Sequence, residues 1–182
     1  CASTVIYEGV PTYPDAGRSW RIAQDLDINI FHTAPTAIRA VKRDDPKGLE
    51  REKYDLSCLR ALYLAGERAD PDTIIWAQEK LGKPVYDHWW QTETGYTIAG
   101  NPAGLEALPV KIGSPTVPMP GYNVQILDEA GHPLPAGELG SGREMSNETV
   151  IPVALTRSRI AVNSAPPSAN REPINVGEPR WN

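Results

Sequence analysis

The chain has 182 residues, 40% of them hydrophobic and 23% charged, which is ordinary for a soluble globular chain and enough for one domain, or one domain with part of a second. No apolar run approaches the roughly 20 residues of a membrane span, and the net charge of -5 is spread rather than gathered, so neither membrane insertion nor nucleic-acid binding is expected. Two cysteines, Cys1 and Cys58, lack Cys or His neighbours at metal-ligand spacing and cannot build a disulfide framework, which fits a reducing compartment.

The chain opens on Cys1 and runs straight into Ala2 to Tyr7, rich in β-formers, without a charged leader or hydrophobic signal region, as expected of a piece cut from a longer protein. After the turn-prone Glu8 to Pro11, the spacing of Trp20, Ile22, Ala23 and Leu26 suits one face of a helix starting near Ala16, with Asp15 as its N-cap. Ile28 to Phe31 predicts a second strand, and Thr36 to Val41 a helix whose first turn accommodates Pro35. Asp44 to Lys53, broken by Pro46 and Gly48, is a solvated connection.

Leu59 to Ala65 is an apolar run of strand length closed by Gly66, and Pro71 to Leu81 predicts a helix started by Asp70 and stopped by Gly82. Pro84 to Tyr86 is a brief buried strand, so the polar residues that follow it sit at a strand's C-terminal end, where open α/β sheets bind ligands. Strands alternating with helices at this spacing argue for a parallel sheet with helical crossovers. After Gly100 proline and glycine punctuate the chain, and a boundary falls around Leu105 to Pro109. A small antiparallel region is expected from near Lys111, containing a half-exposed strand at Tyr122 to Leu127, a turn at Asp128 to Gly131 and a hairpin arm to Leu139. From Ser141 the composition resembles a disordered tail.

The stretch Val85 to Gly95 concentrates two tryptophans, hydrogen-bonding side chains and the carboxylate of Glu93, and by itself reads equally as a Trp pair filling core or as a binding site. Phe31 to Arg39, Leu62 to Glu67 and Tyr86 to Gly95, taken in that order and spacing, closely resemble the adenylate-forming acyl-CoA synthetases, in particular the acetyl-CoA and propionyl-CoA synthetase branch. Gly113-Ser114-Pro115 and Pro120 to Val124 are similar to that family's passage into its small β-barrel, so the resemblance runs from about Ala2 to Gly140. It implies residues 1–107 as a partial α/β core lacking its N-terminal part, 108–140 as the start of a β-barrel subdomain, and 141–182 as a tail outside the family pattern. The abrupt change at Ser141 fits a shifted reading frame or an unspliced intron.

The resemblance implies a two-step reaction: a short-chain carboxylate attacks the α-phosphate of ATP to give acyl-adenylate and pyrophosphate, and the CoA thiol then displaces AMP. The partners implied are ATP/AMP with Mg, CoA and a small carboxylate, in the cytoplasm or the mitochondrial matrix. Gly66, Glu67 and Arg68 would lie on one side of the adenine and Trp89 on the other, since glycine admits close backbone approach and an indole stacks on a purine. Arg68 stands where the acetate branch has proline, and either stacks on the base or points to solvent.

By the same resemblance Asp87 and His88 would border adenine and ribose, with no catalytic role for His88, while Gln91 and Thr92 approach the α-phosphate and Glu93 the magnesium. Trp90 would floor the acyl pocket, and Ala65, where the acetate pattern has valine, leaves space of about two methyls, which favours propionate over acetate. Thr12 would face the CoA tunnel, Arg39 would be a structural ion-pair partner, and Trp20 and Trp76 would be core. The family's phosphate loop and the lysine-bearing C-terminal domain match nothing in the sequence, so the isolated piece is expected to be inactive. A non-catalytic nucleotide-binding or interaction module, or a degenerate truncated gene product, would carry the same motifs.

Overall fold

A computed structural model describes residues 3–135, 138, 141–145 and 150–151, the last two stretches as backbone only. Its centre is a parallel sheet of three strands, β1 (Ile30–Thr33), β2 (Ala61–Leu64) and β3 (Val85–Asp87), in sequential order. Helix α1 (Arg18–Asp25) precedes β1, while α2 (Pro35–Asp44) and α3 (Pro71–Leu81) form the two crossovers. The register sets Phe31 beside Leu62 and Leu62 beside Val85. Those positions and Leu64 pack with Trp20, Ile38, Val41, Ile74, Ala77 and Leu81 of the helices into one apolar core. The alternating parity of strands puts His32, Tyr63 and Tyr86 in one row on the opposite face.

Local signals explain most of these elements. Helix α3 covers the expected residues: the Asp70 carboxylate accepts the Thr73 backbone N–H at 2.8 Å, Pro71 begins the first turn, and Gly82 ends the helix at φ 61°. Trp20 and Trp76 are core residues as expected, 1% and 8% exposed, and the Trp76 indole donates to the Pro46 carbonyl at 2.8 Å. Arg39 is a structural ion-pair partner, 2.7 Å from Glu67 and 3.3 Å from Asp70.

Several expectations need correction. Ala2 to Tyr7 is not a strand where it is described: β-forming side chains do not make a strand without a partner, none pairs with it among the described residues, and Ile6 is 89% exposed. Helix α1 begins at Arg18, and Asp15 instead accepts the Gly17 N–H at 2.9 Å just before it; Leu26, expected on the buried face, lies past its end and is exposed. The strand expected at Ile28 starts two residues later, because the Ile28 N–H still bonds back to Ala23 and pairing with β2 begins at Ile30.

Two small antiparallel sheets follow. The first joins β4 (Trp89–Trp90), β5 (Thr97–Gly100) and β6 (Val117–Pro118), so antiparallel structure begins about twenty residues before Lys111, where it was expected to start. The second contains β7 (Val124–Leu127), followed by the expected turn, in which the Gly131 N–H bonds the Asp128 carbonyl at 3.2 Å and the Leu134 N–H bonds Ile126 at 2.8 Å. Ser141–Met145, expected to lie in a disordered tail, is strand β8, antiparallel to β7, and Val150–Ile151 is β9 beside it. The rest of the expected tail lies outside the described residues, as do Ala136, Gly137 and Leu139 of the expected arm.

Candidate functional site

The C-terminal ends of β2 and β3 lie side by side, with Leu64 paired to Asp87, and the chain leaves both edges into irregular structure. A cleft of about 210 Å³ opens there. Its walls are Gly66, Glu67 and Arg68 after β2, Asp87 and His88 after β3, Trp89, Trp90 and Gln91 of the next strand and its loop, and Gly113 with Pro115 from the connection to β6. The volume is below the roughly 300–1,000 Å³ typical of sites that bury a drug-sized ligand, so the cleft suits a ring rather than a whole nucleotide with its phosphates.

The wall after β2 is firmly tied. Gly66 sits at φ 103°, a conformation that strains any L side chain, and a Cβ there would meet nothing within 4 Å, so its backbone is open to a ligand. The Glu67 carboxylate accepts the Thr36 backbone N–H at 2.8 Å at the start of α2 and pairs with Arg39, so it faces the helices and leaves backbone to the cleft. Hydrogen bonds from Thr36, and then the Arg39 guanidinium, hold this carboxyl below the usual range. Arg39 also reaches Asp70, which caps α3; one guanidinium therefore links both crossover helices to the wall.

The opposite side is more deeply set. Burial pushes the Asp87 carboxyl up to about 7, against the opposing pull of the Ala69 and His88 backbone N–H groups and the Arg68 charge. Burial, and secondarily the charge of His32, pushes His88 down to about 4, so its ring is neutral at physiological pH. The His88 ring lies 4.8 Å from the Tyr63 ring, and its Nε2 is buried without a hydrogen-bond partner among the described residues. His88 is half-buried.

The turn from Gln91 to Tyr96 is closed by Thr94, whose hydroxyl lies 2.9 Å from the carbonyls of both Gln91 and Tyr96. Thr94 holds the loop shape yet carried no assigned role in the sequence; the recurrence of Thr either side of Glu93 was its only signal. Gly113 and Pro115 were likewise missed as cleft residues, since neither bears chemistry and only the fold brings them in.

Eight of the twelve expected site residues line the cleft, namely Gly66, Glu67, Arg68, Asp87, His88, Trp89, Trp90 and Gln91. Ala65 is buried behind it at 7% exposure, and Thr92 and Glu93 are exposed on the loop outside it. Thr12 is elsewhere: it stands by Asp44 at the C-terminal end of α2, about 12 Å along that helix from Thr36, which meets Glu67. Trp90 is 43% exposed, so it forms the rim of the cleft and fills no core among the described residues. Among the described residues no three His, Cys, Asp or Glu side chains gather to hold a metal, and a magnesium at Glu93 would draw its other ligands from phosphates and water. No helix among them is long and apolar enough to cross a membrane.

Comparison with known proteins agrees with this architecture. The chain is 47% identical over 139 residues to the propionate–CoA ligase of Salmonella typhimurium, covering 76% of this chain and 22% of that one. It is 44% identical over 142 residues to the acetyl-coenzyme A synthetase of Wolinella succinogenes, covering 76% and 21%. The chain thus spans about a fifth of the length of these curated relatives. Among solved structures, an acyl-CoA synthetase of Brucella canis matches with a TM-score of 0.62 at 34% identity, covering 71% of this chain and 23% of that one. The anthranilate CoA ligase AuaEII, crystallised with anthranoyl-AMP, matches with a TM-score of 0.66 at 25% identity, covering 82% and 27%. The family model described as AMP-binding enzyme matches residues 1–141, and the chain belongs to that family.

Proposed function

We propose that this chain is part of an AMP-forming short-chain acyl-CoA synthetase, which joins a small carboxylate to CoA through an acyl-adenylate. The observation that carries the reading is that Gly66, Glu67, Arg68 and Trp89 line one ring-sized cleft at the ends of β2 and β3. An adenine seated there would lie between the open backbone at Gly66 and the Trp89 indole, with the backbone at Asp87 beside its amine. Gln91 and Thr92 would approach the α-phosphate, and Glu93 the magnesium that bridges the phosphates. The chemistry needs no protein nucleophile: positioning of the carboxylate in line with the α-phosphorus and charge stabilisation on its oxygens account for both steps.

Trp90 on the rim would floor the acyl pocket with Ala65 behind it, and the small side chain at 65 favours propionate over acetate. Thr12, at the far end of α2, would face the CoA path. Residues 108–140 would begin a barrel subdomain, whose strand β7 pairs with β8 just beyond it. The test is carboxylate-dependent ATP–pyrophosphate exchange by the full-length gene product with acetate, propionate and butyrate. Exchange fastest with propionate is expected; no exchange with any of them overturns the reading, and a preference for butyrate overturns the pocket assignment.

A further inference from the structure

The His88 ring occupies a space that exists only because position 100 has no side chain. A Cβ at Gly100, the last residue of β5, would lie 2.5 Å from Cδ2 and 2.9 Å from Nε2 of His88, and 3.1 Å from Cγ2 of Thr97. Such contacts force movement, and close packing leaves little slack. The ring cannot withdraw the other way. Tyr63 stands 4.8 Å from it and is itself packed 5.0 Å from Tyr86, while the His88 main chain is fixed by its N–H bond to the Leu64 carbonyl at 2.8 Å. The side left open is the cleft that His88 lines. Because the buried Nε2 has no partner among the described residues, no hydrogen bond from that nitrogen anchors the ring, and packing alone holds that edge.

We propose that Gly100 is a positioning residue for the cleft: the room it leaves keeps the His88 ring between Tyr63 and β5, below the wall, so that the slot stays open to a flat ligand ring. His88 is the residue between β3 and β4 and Gly100 ends β5, so the contact lies where the chain passes from the parallel sheet into the β4–β5–β6 sheet. The functional part of the proposal rests on the reading of the cleft as a base-binding slot.

The test compares wild type, Gly100→Ala, His88→Asn and the double variant in the full-length gene product. AMP is titrated by calorimetry, and carbethoxylation of His88 by diethyl pyrocarbonate is followed by mass spectrometry. Gly100→Ala is expected to weaken AMP about tenfold, while the double variant stays within about twofold of His88→Asn alone, because the smaller amide frees the space. His88 should also react several-fold faster in Gly100→Ala than in wild type as its ring is pushed out. Wild-type affinity in Gly100→Ala, or a loss that persists in the His88→Asn background, overturns the proposal, as does unchanged His88 reactivity. If wild type itself binds no AMP, the base-binding reading falls, and the modification rates alone decide the Gly100–His88 contact. If Gly100→Ala does not fold, recovery of folding in the double variant supports the contact and failure to recover overturns it.

Discussion

Replacing Asp87 by Asn removes a carboxyl that the fold holds against its own charge. Burial raises Asp87 from an ordinary 3.8 to about 7, so between those values the folded chain keeps a proton that the unfolded chain has released. Stability from this group is therefore greatest at low pH, falls as pH rises through the window, and levels off above about 7. Between about pH 5 and about pH 8 some 2 pH units of the window remain, which at about 1.4 kcal/mol each makes a loss of about 2–3 kcal/mol. Asparagine has nothing to ionise and avoids that loss. Urea unfolding of wild type and Asp87→Asn at the two pH values measures it directly, and the variant should gain on wild type by about that amount at the higher pH. A difference that is the same at both pH values would refute the argument, because it would mean that Asp87 is no less hydrated in the folded chain than in the unfolded one.

The neighbouring His88 acts in the opposite sense: with its folded value pushed from 6.5 to about 4, it adds stability as pH rises through that window and loses it as pH falls. The two slopes oppose each other in wild type, so His88→Asn should show stability declining with pH and Asp87→Asn stability rising with it over the same range, checked by thermal melts across pH. Asn101 is 3% exposed and bonds Leu108 twice, donating to its carbonyl at 2.7 Å and accepting its N–H at 3.1 Å; Asn101→Ala should cost about 2–3 kcal/mol in chemical unfolding by leaving both backbone groups unpaired. Asp70→Ala removes the α3 cap and should cost about 1–2 kcal/mol, whereas Asp70→Asn keeps an acceptor and should cost about half as much. Arg39→Ala, whose pairs are partly exposed, should cost only about 1 kcal/mol in the same assay.

Legibility in the sequence followed how local the cause of each feature is. Helix α3 was readable because its start and stop are both written beside it, in Asp70-Pro71 and Gly82. Strand β2 was readable because both its faces are largely covered, which gives an unbroken apolar run. Thr4 to Tyr7 misled because side-chain preference says nothing about whether a partner strand is present. Ser141–Met145 misled in the other direction: Ser-Gly-Arg-Glu-Met has little strand character, and its pairing with Val124–Leu127 supplies what its composition does not. In the site, Gly66 to Arg68 and Asp87 to Gln91 were found as contiguous motifs beside strand ends. Gly113 and Pro115 were not, since their part is a matter of backbone shape arriving from a distant segment.

The double grip of Arg39 on Glu67 and Asp70 has a consequence for how such a protein can change. It fixes the main chain from 66 to 68 against two helices while leaving the Arg68 side chain in the open. Position 68 can therefore exchange one side chain for another without disturbing the frame that carries it, and the guanidinium standing where related sequences were expected to have proline is such an exchange. Side chains on that wall can change through surface chemistry alone, whereas a side chain added at Gly100 would meet the His88 ring at 2.5 Å, so change there needs a compensating change at His88.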